Sequence, residues 1–112
     1  MELAMQVFLA SKTFPAEERF SLTDQIRRSS RSVAANLAEA WRKRRYAAAF
    51  AAKLSDAEGE AAETQTHVEI ALRCGYVRTD EADKIISAYD TLLARLVTMS
   101  AHPEKWVVRA DR

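Results

Sequence analysis

The chain has 112 residues, the size of one domain with a single hydrophobic core. It contains only two Gly and two Pro and is rich in Ala, Leu, Glu, Arg and Lys, which excludes a β-rich chain and predicts an all-α domain. The formal net charge of +1 excludes a chain that is basic throughout, so any affinity for a polyanion must come from a local cluster of charge.

The hydrophobic periodicity predicts four helices, at residues 2–12, 22–43, 46–73 and 80–100. Pro15 ends the first helix, because proline disfavours helical geometry in the residue before it. Ser21 is the predicted N-cap of the second helix, in a capping-box arrangement with Asp24. Thr79 is the predicted N-cap of the fourth helix, which Pro103 closes.

The residues near the end of the third helix also have predicted roles. Gly75 can adopt the left-handed conformation that stops a helix. Gly59, inside the helix, costs about 1 kcal/mol relative to alanine and predicts a bend or a close approach of a neighbouring backbone. Cys74 is predicted to be a small core residue. As the single cysteine it cannot form an internal disulfide, which fits a reducing compartment.

Short connections between consecutive helices predict an antiparallel up-and-down four-helix bundle. The bundle is expected to cover residues 1–102, with residues 103–112 as a C-terminal tail. The first helix is too short to cover its share of the apolar seam. We therefore expect leftover apolar surface, which self-association into a homo-oligomer would bury.

The second helix combines an apolar seam with a concentrated positive charge. Residues 25–45 contain seven Lys or Arg residues and one acid, Glu39. Arginine forks onto phosphate well, and each neutralised phosphate releases condensed counterions. The candidate nucleic-acid-binding residues are therefore these cations: Arg27, Arg28, Arg31, Arg42, Lys43, Arg44 and Arg45. On a helical projection, Arg45 falls on the same face as Arg27 and Arg42.

Other polar positions on this helix point to subunit packing. The candidate oligomer-packing residues are Gln25, Ser32, Asn36, Glu39 and Trp41. Trp41 is assigned to the apolar side, so no aromatic side chain is predicted beside the arginines for stacking on bases. Any nucleic-acid binding is then expected to follow the backbone and to select weakly for sequence.

The third helix carries the opposite charge, which leaves an alternative open. Between Leu54 and Leu72 it has no basic residue, and it carries five acids: Asp56, Glu58, Glu60, Glu63 and Glu69. These carboxylates could pair with the arginines inside a subunit or across a symmetric contact. The chain would then be a protein-interaction or assembly module that binds no nucleic acid.

The sequence contains no recognisable catalytic, cofactor or metal motif. Glu60, Glu63 and His67 have helical spacing, but a di-metal bundle takes ligands from several helices, so we expect no metal and assign His67 to a surface or an interface. With two glycines there is no phosphate-binding loop, and Cys74 has no nearby base. We predict a protein that is not an enzyme and has no cofactor.

The chain is also expected to be cytoplasmic. The first residues, Met1–Leu3, lack the basic region and apolar run of a secretory signal. No stretch approaches the roughly 20 apolar residues that span a bilayer, so no membrane partner is predicted.

Three stretches of the sequence carry a family resemblance. They are FP at 14–15 with Glu18; QIRRS at 25–29 with Ser32 and NLAEA at 36–40; and LS at 54–55, ETQT at 63–66 and GYV at 75–77. On these residues the chain resembles, over residues 1–100, the four-helix-bundle proteins named for the intervening sequences of bacterial 23S rRNA genes.

The resemblance implies a cytoplasmic bacterial bundle that assembles as a ring-like homopentamer, with a biochemical role that is poorly defined. A similar branch is the accessory variability protein of diversity-generating retroelements, a basic pentameric barrel that binds nucleic acid and a reverse transcriptase. Carried over, residues 25–31 and 42–45 are the positions to test. Two departures stand out: members usually extend the first helix upstream of Met1, and many have Gly where this chain has Ala40.

Overall fold

The computed structural model describes residues 1–107, which form four helices and contain no strand. The helices are α1 Glu2–Ser11, α2 Leu22–Arg42, α3 Ala47–Arg73 and α4 Thr79–Ala101. Short 3₁₀ turns lie at Ala16–Glu18 and Pro103–Lys105. The all-α class is confirmed, and each helix matches its predicted range within one or two residues at either end. Of the predicted tail, residues 108–112 lie outside the described residues.

The helices enclose two hydrophobic clusters that lie one after the other along the molecule. α1 packs against α2 and α4, α2 against α3, and α3 against α4. At the covered end, all four helices contribute Val7, Ala10, Ile26, Val33, Ala61, Val68, Ala82, Ile85 and Tyr89. At the open end, which α1 does not reach, α2, α3 and α4 contribute Ala40, Phe50, Leu54, Ala57 and Leu96.

The molecule is elongated, 53 × 24 × 18 Å, and leaves large apolar side chains at its surface. Met5 and Leu9 are exposed along the outer side of α1, whose inner side buries Val7 and Ala10. The remaining exposed large apolar residues within the described chain include Phe20, Trp41, Tyr46, Ile70, Val97 and Trp106. The expected leftover apolar surface is therefore present on the single chain.

A carboxylate from the preceding turn caps α2, and the predicted Ser21–Asp24 capping box is wrong. Ser21 does occupy the N-cap position, but its hydroxyl donates to Glu18 Oε1 at 2.6 Å. The same Glu18 oxygen accepts the backbone N–H of Leu22 at 3.4 Å. Glu18 therefore accepts the backbone hydrogen bond at the start of α2 that was predicted for Ser21. Its negative charge is also favourable there, because the N-terminus of a helix is its positive end.

The start of α4 also differs from the prediction. Thr79 is its first helical residue, and Arg78 occupies the N-cap position without a capping side chain. The Arg78 guanidinium instead pairs with Asp80, at 2.8 Å between Nη2 and Oδ2. The Arg78 hydrogen bond is the largest cause lowering the pKa of Asp80.

Gly75 ends α3 as predicted, with φ +79° in the left-handed region. The N–H of Tyr76 donates to the carbonyl of Ala71 at 2.9 Å, and the N–H of Gly75 to that of Leu72 at 3.0 Å, which is the Schellman pattern. One of the two roles predicted for Gly59, a close approach of a neighbouring backbone, is wrong within residues 1–107, because a Cβ built there meets no atom within 4 Å. The predicted bend stays a prediction.

The buried polar residues correct two further predictions. His67 is 8% exposed within the single chain, so it is not a surface residue of the protomer, and Cys74 is exposed rather than part of the core. Between α2 and α3, the hydroxyls of Ser29 and Thr64 share a fully buried hydrogen bond of 2.8 Å. Small hydroxyl residues on facing helices allow those helices to approach closely at this level of the bundle.

Candidate nucleic-acid interface

The seven candidate cations fall into two groups, because α2 ends at Arg42. Lys43, Arg44 and Arg45 lie in the turn before α3, so the prediction that Arg45 continues the helical face of Arg27 is wrong. The other group lies on the body of α2. Arg31 and Arg42 are separated by about 16 Å along the helix axis, at 1.5 Å per residue.

A groove of about 650 Å³ runs beside the first half of α2. Among residues 1–107, four arginines line it, together with the ring of Phe20 and a single carboxylate, Asp24; the arginines are Arg19, Arg27, Arg28 and Arg31. We call this feature the arginine groove. Arg19, Arg27 and Arg31 have no carboxylate within 4.0 Å in residues 1–107, so the concave surface concentrates positive potential, because its low-dielectric walls focus the field.

Arg27 is fixed in the groove by α1. Its Nε donates to Ser11 Oγ at 2.7 Å, and its guanidinium lies 4.6 Å from the centre of the Phe8 ring. The Ser11 hydroxyl donates in turn to the Phe8 carbonyl at 2.7 Å. Within residues 1–107 the two terminal nitrogens of Arg27 have no hydrogen-bond partner. The guanidinium is therefore held in place while its outer donors stay available.

Two further cations lie near the ring of Phe8. Arg31 lies 5.9 Å and Lys12 5.1 Å from the centre of its ring. In the described part of the chain, neither these two cations nor Arg27 lies within 4.0 Å of a carboxylate. Cation–π contacts hold the cations without neutralising them, so their charge remains available to an anion.

Arg28 alone among the α2 arginines follows the salt-bridge alternative in residues 1–107. Its guanidinium reaches Glu63 at 2.8 Å and Glu60 at 3.4 Å on α3. The hydrogen bond to Glu63 is the largest cause raising the pKa of Arg28. Glu60 and Glu63 are thus engaged by an arginine, and residues 1–107 contain no group of three His, Cys, Asp or Glu side chains that could hold a metal ion.

The cations at the end of α2 and in the turn after it make different contacts from those in the groove. The Arg44 guanidinium lies 3.7 Å from the centre of the Trp41 ring, and its Nε donates to the Trp41 carbonyl at 3.0 Å. Arg42, Lys43 and Arg45 are exposed. Trp41 is 48% exposed and its ring lies beside the Arg44 guanidinium, and Phe20 lies in the wall of the arginine groove. Aromatic side chains therefore do lie beside arginines of the candidate interface, contrary to the prediction.

The residues predicted for oligomer packing lie on the surface of the protomer or make local contacts. Gln25 is exposed, and the Asn36 amide donates to the Ser32 carbonyl at 3.0 Å and to its hydroxyl at 3.2 Å. Glu39 pairs with Lys53 on α3 at 2.9 Å, and this hydrogen bond is the largest cause lowering its pKa. Whether these positions meet another subunit stays a prediction.

Sequence inspection missed Lys12, Arg19 and Phe20 as parts of the candidate interface. Lys12 follows α1, and Arg19 and Phe20 follow the 3₁₀ turn, so none of them belongs to the α2 pattern. The only available signal was their position on either side of Pro15, in the connection that returns the chain to the start of α2.

The comparison with protein families places the chain. The family model of the 23S rRNA-intervening sequence protein matches residues 1–98, which is most of its length. The chain belongs to this family. The resemblance drawn from the sequence motifs is thereby confirmed, while the family assigns no activity and is not known to be enzymatic. No curated protein is significantly similar to the chain. Within residues 1–107, no helix of this family member is long and apolar enough to cross a membrane.

Proposed function

We propose that this 23S rRNA-intervening sequence protein is a non-enzymatic cytoplasmic scaffold that binds the backbone of RNA or DNA through the basic side of α2. Its four helices form an antiparallel up-and-down bundle that assembles as a homopentamer. The observation that carries the proposal is that Arg27 and Arg31 line the groove and that neither guanidinium has a carboxylate of residues 1–107 within 4.0 Å.

Phosphate is the anion that suits this site best. The Arg27 guanidinium is fixed through Nε and the Phe8 ring, so little side-chain entropy is lost when its outer nitrogens bind a ligand. A guanidinium fork matches two phosphate oxygens. Arg42 at the end of α2, with Lys43 and Arg45 in the turn after it, extends the positive surface, as a polyanion longer than one nucleotide requires.

Oligomer formation is supported by the exposed apolar side chains. Met5 and Leu9 form a stripe on α1, and Trp41, Val97 and Trp106 lie towards the open end. Isolated exposed apolar residues are ordinary, but rows of them on one helix are typical of surfaces that meet another subunit. The exposed Cys74 thiol fits a reducing compartment such as the cytoplasm.

The binding proposal is tested by the salt dependence of RNA affinity. We expect the chain to bind a single-stranded RNA of about 30 nucleotides at about 50 mM salt and to lose affinity steeply as salt rises. The Arg27→Glu/Arg31→Glu variant should bind at least about tenfold more weakly, because two phosphate contacts become repulsions. Arg42→Glu/Arg45→Glu should have a smaller effect, since both side chains are exposed and lie outside the groove.

The matched control is Arg73→Glu/Arg78→Glu, which makes the same change of net charge at two arginines outside α2. It should bind within about threefold of the original chain, because neither arginine lines the groove. No binding at low salt would contradict the proposal. Equal losses in the α2 variant and the control would contradict the site.

The assembly module without nucleic-acid binding remains a second candidate, and specific ion pairs favour it. Arg28 pairs with Glu60 and Glu63, and Glu39 pairs with Lys53, so part of the opposite charge on α2 and α3 is already matched. Under this alternative the chain binds no RNA at low salt, and charge reversal on α2 changes the oligomer rather than an affinity.

The oligomer is tested by light scattering. The chain should have the mass of five copies of 12.6 kDa. Met5→Lys/Leu9→Lys should shift the mass towards smaller species, because two charges would be buried without partners. The control Ala52→Lys/Ala62→Lys adds the same charge at exposed positions of α3. A single-chain mass before mutation would contradict self-association.

A further inference from the structure

We propose that the arginine groove is a site for a single-stranded segment of nucleic acid, in which Phe20 stacks on an unpaired base while Arg27 and Arg31 hold the neighbouring phosphates. This inference rests on the proposed function and goes beyond it in two ways. It specifies that the nucleic acid is single-stranded, and it adds an aromatic contact from Phe20, which lies outside α2.

The exposure of Phe20 is the first support. Its side chain is 87% exposed, more than any other large apolar side chain of the described residues. It belongs to neither hydrophobic cluster, and its ring lies in the wall of the arginine groove. The Arg19 guanidinium lies 5.4 Å from the centre of the ring. An aromatic face next to a cation is the combination on which a base and its phosphate bind together.

The backbone that presents Phe20 is the second support. On one side of it, the Glu18 carboxylate accepts hydrogen bonds from the Tyr76 hydroxyl at 2.9 Å and from the Ser21 hydroxyl at 2.6 Å. On the other side, Leu22 begins α2 and is buried. The connection is thus tied to the α3–α4 turn, so the ring is presented from fixed backbone and its ordering costs little on binding.

The charge of the groove argues for nucleic acid over a second copy of this chain. A subunit placed on Phe20 would also have to desolvate Arg19, Arg27 and Arg31, and among residues 1–107 the groove itself offers them one carboxylate, Asp24. The second copy would have to supply further carboxylates, because burying several like charges without partners is strongly unfavourable. Two of the acids of α3, Glu60 and Glu63, are already paired with Arg28 inside the chain. A single strand brings its own phosphates to these cations, and its unstacked bases can reach the ring, whereas the bases of a duplex are stacked and covered.

The test compares single-stranded and duplex RNA of equal length by fluorescence anisotropy, using the full chain and three substitutions of Phe20. Phe20→Ala should weaken single-strand binding by about tenfold and leave duplex binding unchanged, since base–aromatic stacking is lost only where a base is unpaired. Phe20→Tyr should retain the affinity. Phe20→Leu, a matched apolar control without a π-face, should behave like Phe20→Ala. The salt slope should be the same in all of them.

A substitution of the acid tests the location independently. Asp24→Asn should tighten single-strand binding by about threefold, because it removes the one negative charge of the groove. An unchanged affinity in Asp24→Asn would overturn the assignment to this groove.

The possible outcomes separate this inference from the proposed function. If the chain binds neither RNA, both fail. If it binds RNA with the expected salt dependence but Phe20→Ala has no effect, or weakens duplex and single strand equally, the stacking site is overturned and the basic-face proposal stands. If Phe20→Ala lowers the mass by light scattering, Phe20 is a subunit contact and the inference is likewise overturned.

Discussion

The covered and open ends of the molecule differ in whether α1 packs beside the cations of residues 25–45. At the covered end, α1 places Phe8 and Ser11 against Arg27, so the cation is fixed by a ring and a hydroxyl. At the open end α1 is absent, and Arg42, Lys43 and Arg45 extend from the surface. Cations of one segment thus differ in their exposure and in the side chains that hold them.

The difference follows from helix length. α1 has 10 residues and α2 has 21, so at 1.5 Å per residue α1 covers about 15 Å of about 32 Å. Beyond the end of α1, only α2, α3 and α4 form the core within residues 1–107, and Trp41, Tyr46 and Trp106 are exposed at that end. At the covered end a cation is therefore held by another helix, while at the open end exposed cations lie near exposed apolar side chains. The predictions that follow test whether both ends are folded core and whether the links at the covered end are specific.

The largest effect is expected from Phe50, the largest wholly buried side chain of the open end, at 0% exposed. Phe50→Ala should lower the free energy of unfolding by about 3–5 kcal/mol, through lost burial and the cavity left behind. Urea denaturation at one fixed protein concentration measures it, because dissociation of an oligomer would otherwise contribute.

The control lies at the covered end. Tyr89 is 0% exposed, its hydroxyl has no hydrogen-bond partner within residues 1–107, and burial raises its pKa to about 12. Tyr89→Phe keeps the ring and removes a buried hydroxyl, so it should be neutral or stabilising. A loss below about 1 kcal/mol for Phe50→Ala would mean that the open end is not a packed core.

The sequence predicts the fold well because helix periodicity and helix stops are local. A glycine between two apolar stretches predicts a helix stop at Gly75, and α3 does end two residues before it. The capping of α2 could not be predicted in the same way. Glu18 takes that role because Tyr76, 58 residues away, fixes its other oxygen, and such a long-range contact leaves no periodic signal.

The candidate site was predicted only in part, for a similar reason. A helical projection identifies Arg27 and Arg31 but assumes that the helix continues to Arg45, which it does not. The projection also cannot distinguish arginines that pair with carboxylates from arginines that do not. Arg28 is engaged by α3 while Arg27 rests on Phe8, and this distinction depends on which helix packs on which side of α2. Phe20 was missed because a connection has no periodicity.

The next prediction uses the two glycines, which should respond to alanine with opposite signs. Gly75→Ala should destabilise by about 1–2 kcal/mol, because φ +79° brings a Cβ close to the following carbonyl. Gly59→Ala should stabilise by about 1 kcal/mol, since the position is helical, exposed and open around the new Cβ. Urea midpoints of the two variants measure the difference. Destabilisation by Gly59→Ala would reveal a neighbour that packs on α3 in the oligomer.

The smallest expected effect concerns the link between the α1–α2 connection and the α3–α4 turn. Tyr76 donates to Glu18 Oε2 at 2.9 Å, and Phe14 packs on its ring at 5.7 Å between centroids. Tyr76→Phe keeps the ring contact and removes the hydrogen bond, so it should cost less stability than Gly75→Ala. Tyr46→Phe, at an exposed tyrosine of the open end, should have no effect.

The pH dependence of this difference identifies the link. Hydrogen bonds from Ser21 and then Tyr76 lower the pKa of Glu18, so its stabilisation is present above the ordinary value of 4.5 and is lost as pH falls below it. The hydrogen bond to Glu18 raises the pKa of Tyr76 to about 12, so that contribution is present below pH 10 and is lost as pH rises towards 12. The gap in urea midpoint between the original chain and Tyr76→Phe should therefore be widest near neutral pH and narrow at both extremes. A gap that widens in acid would mean that Tyr76 stabilises the covered end through a group other than Glu18.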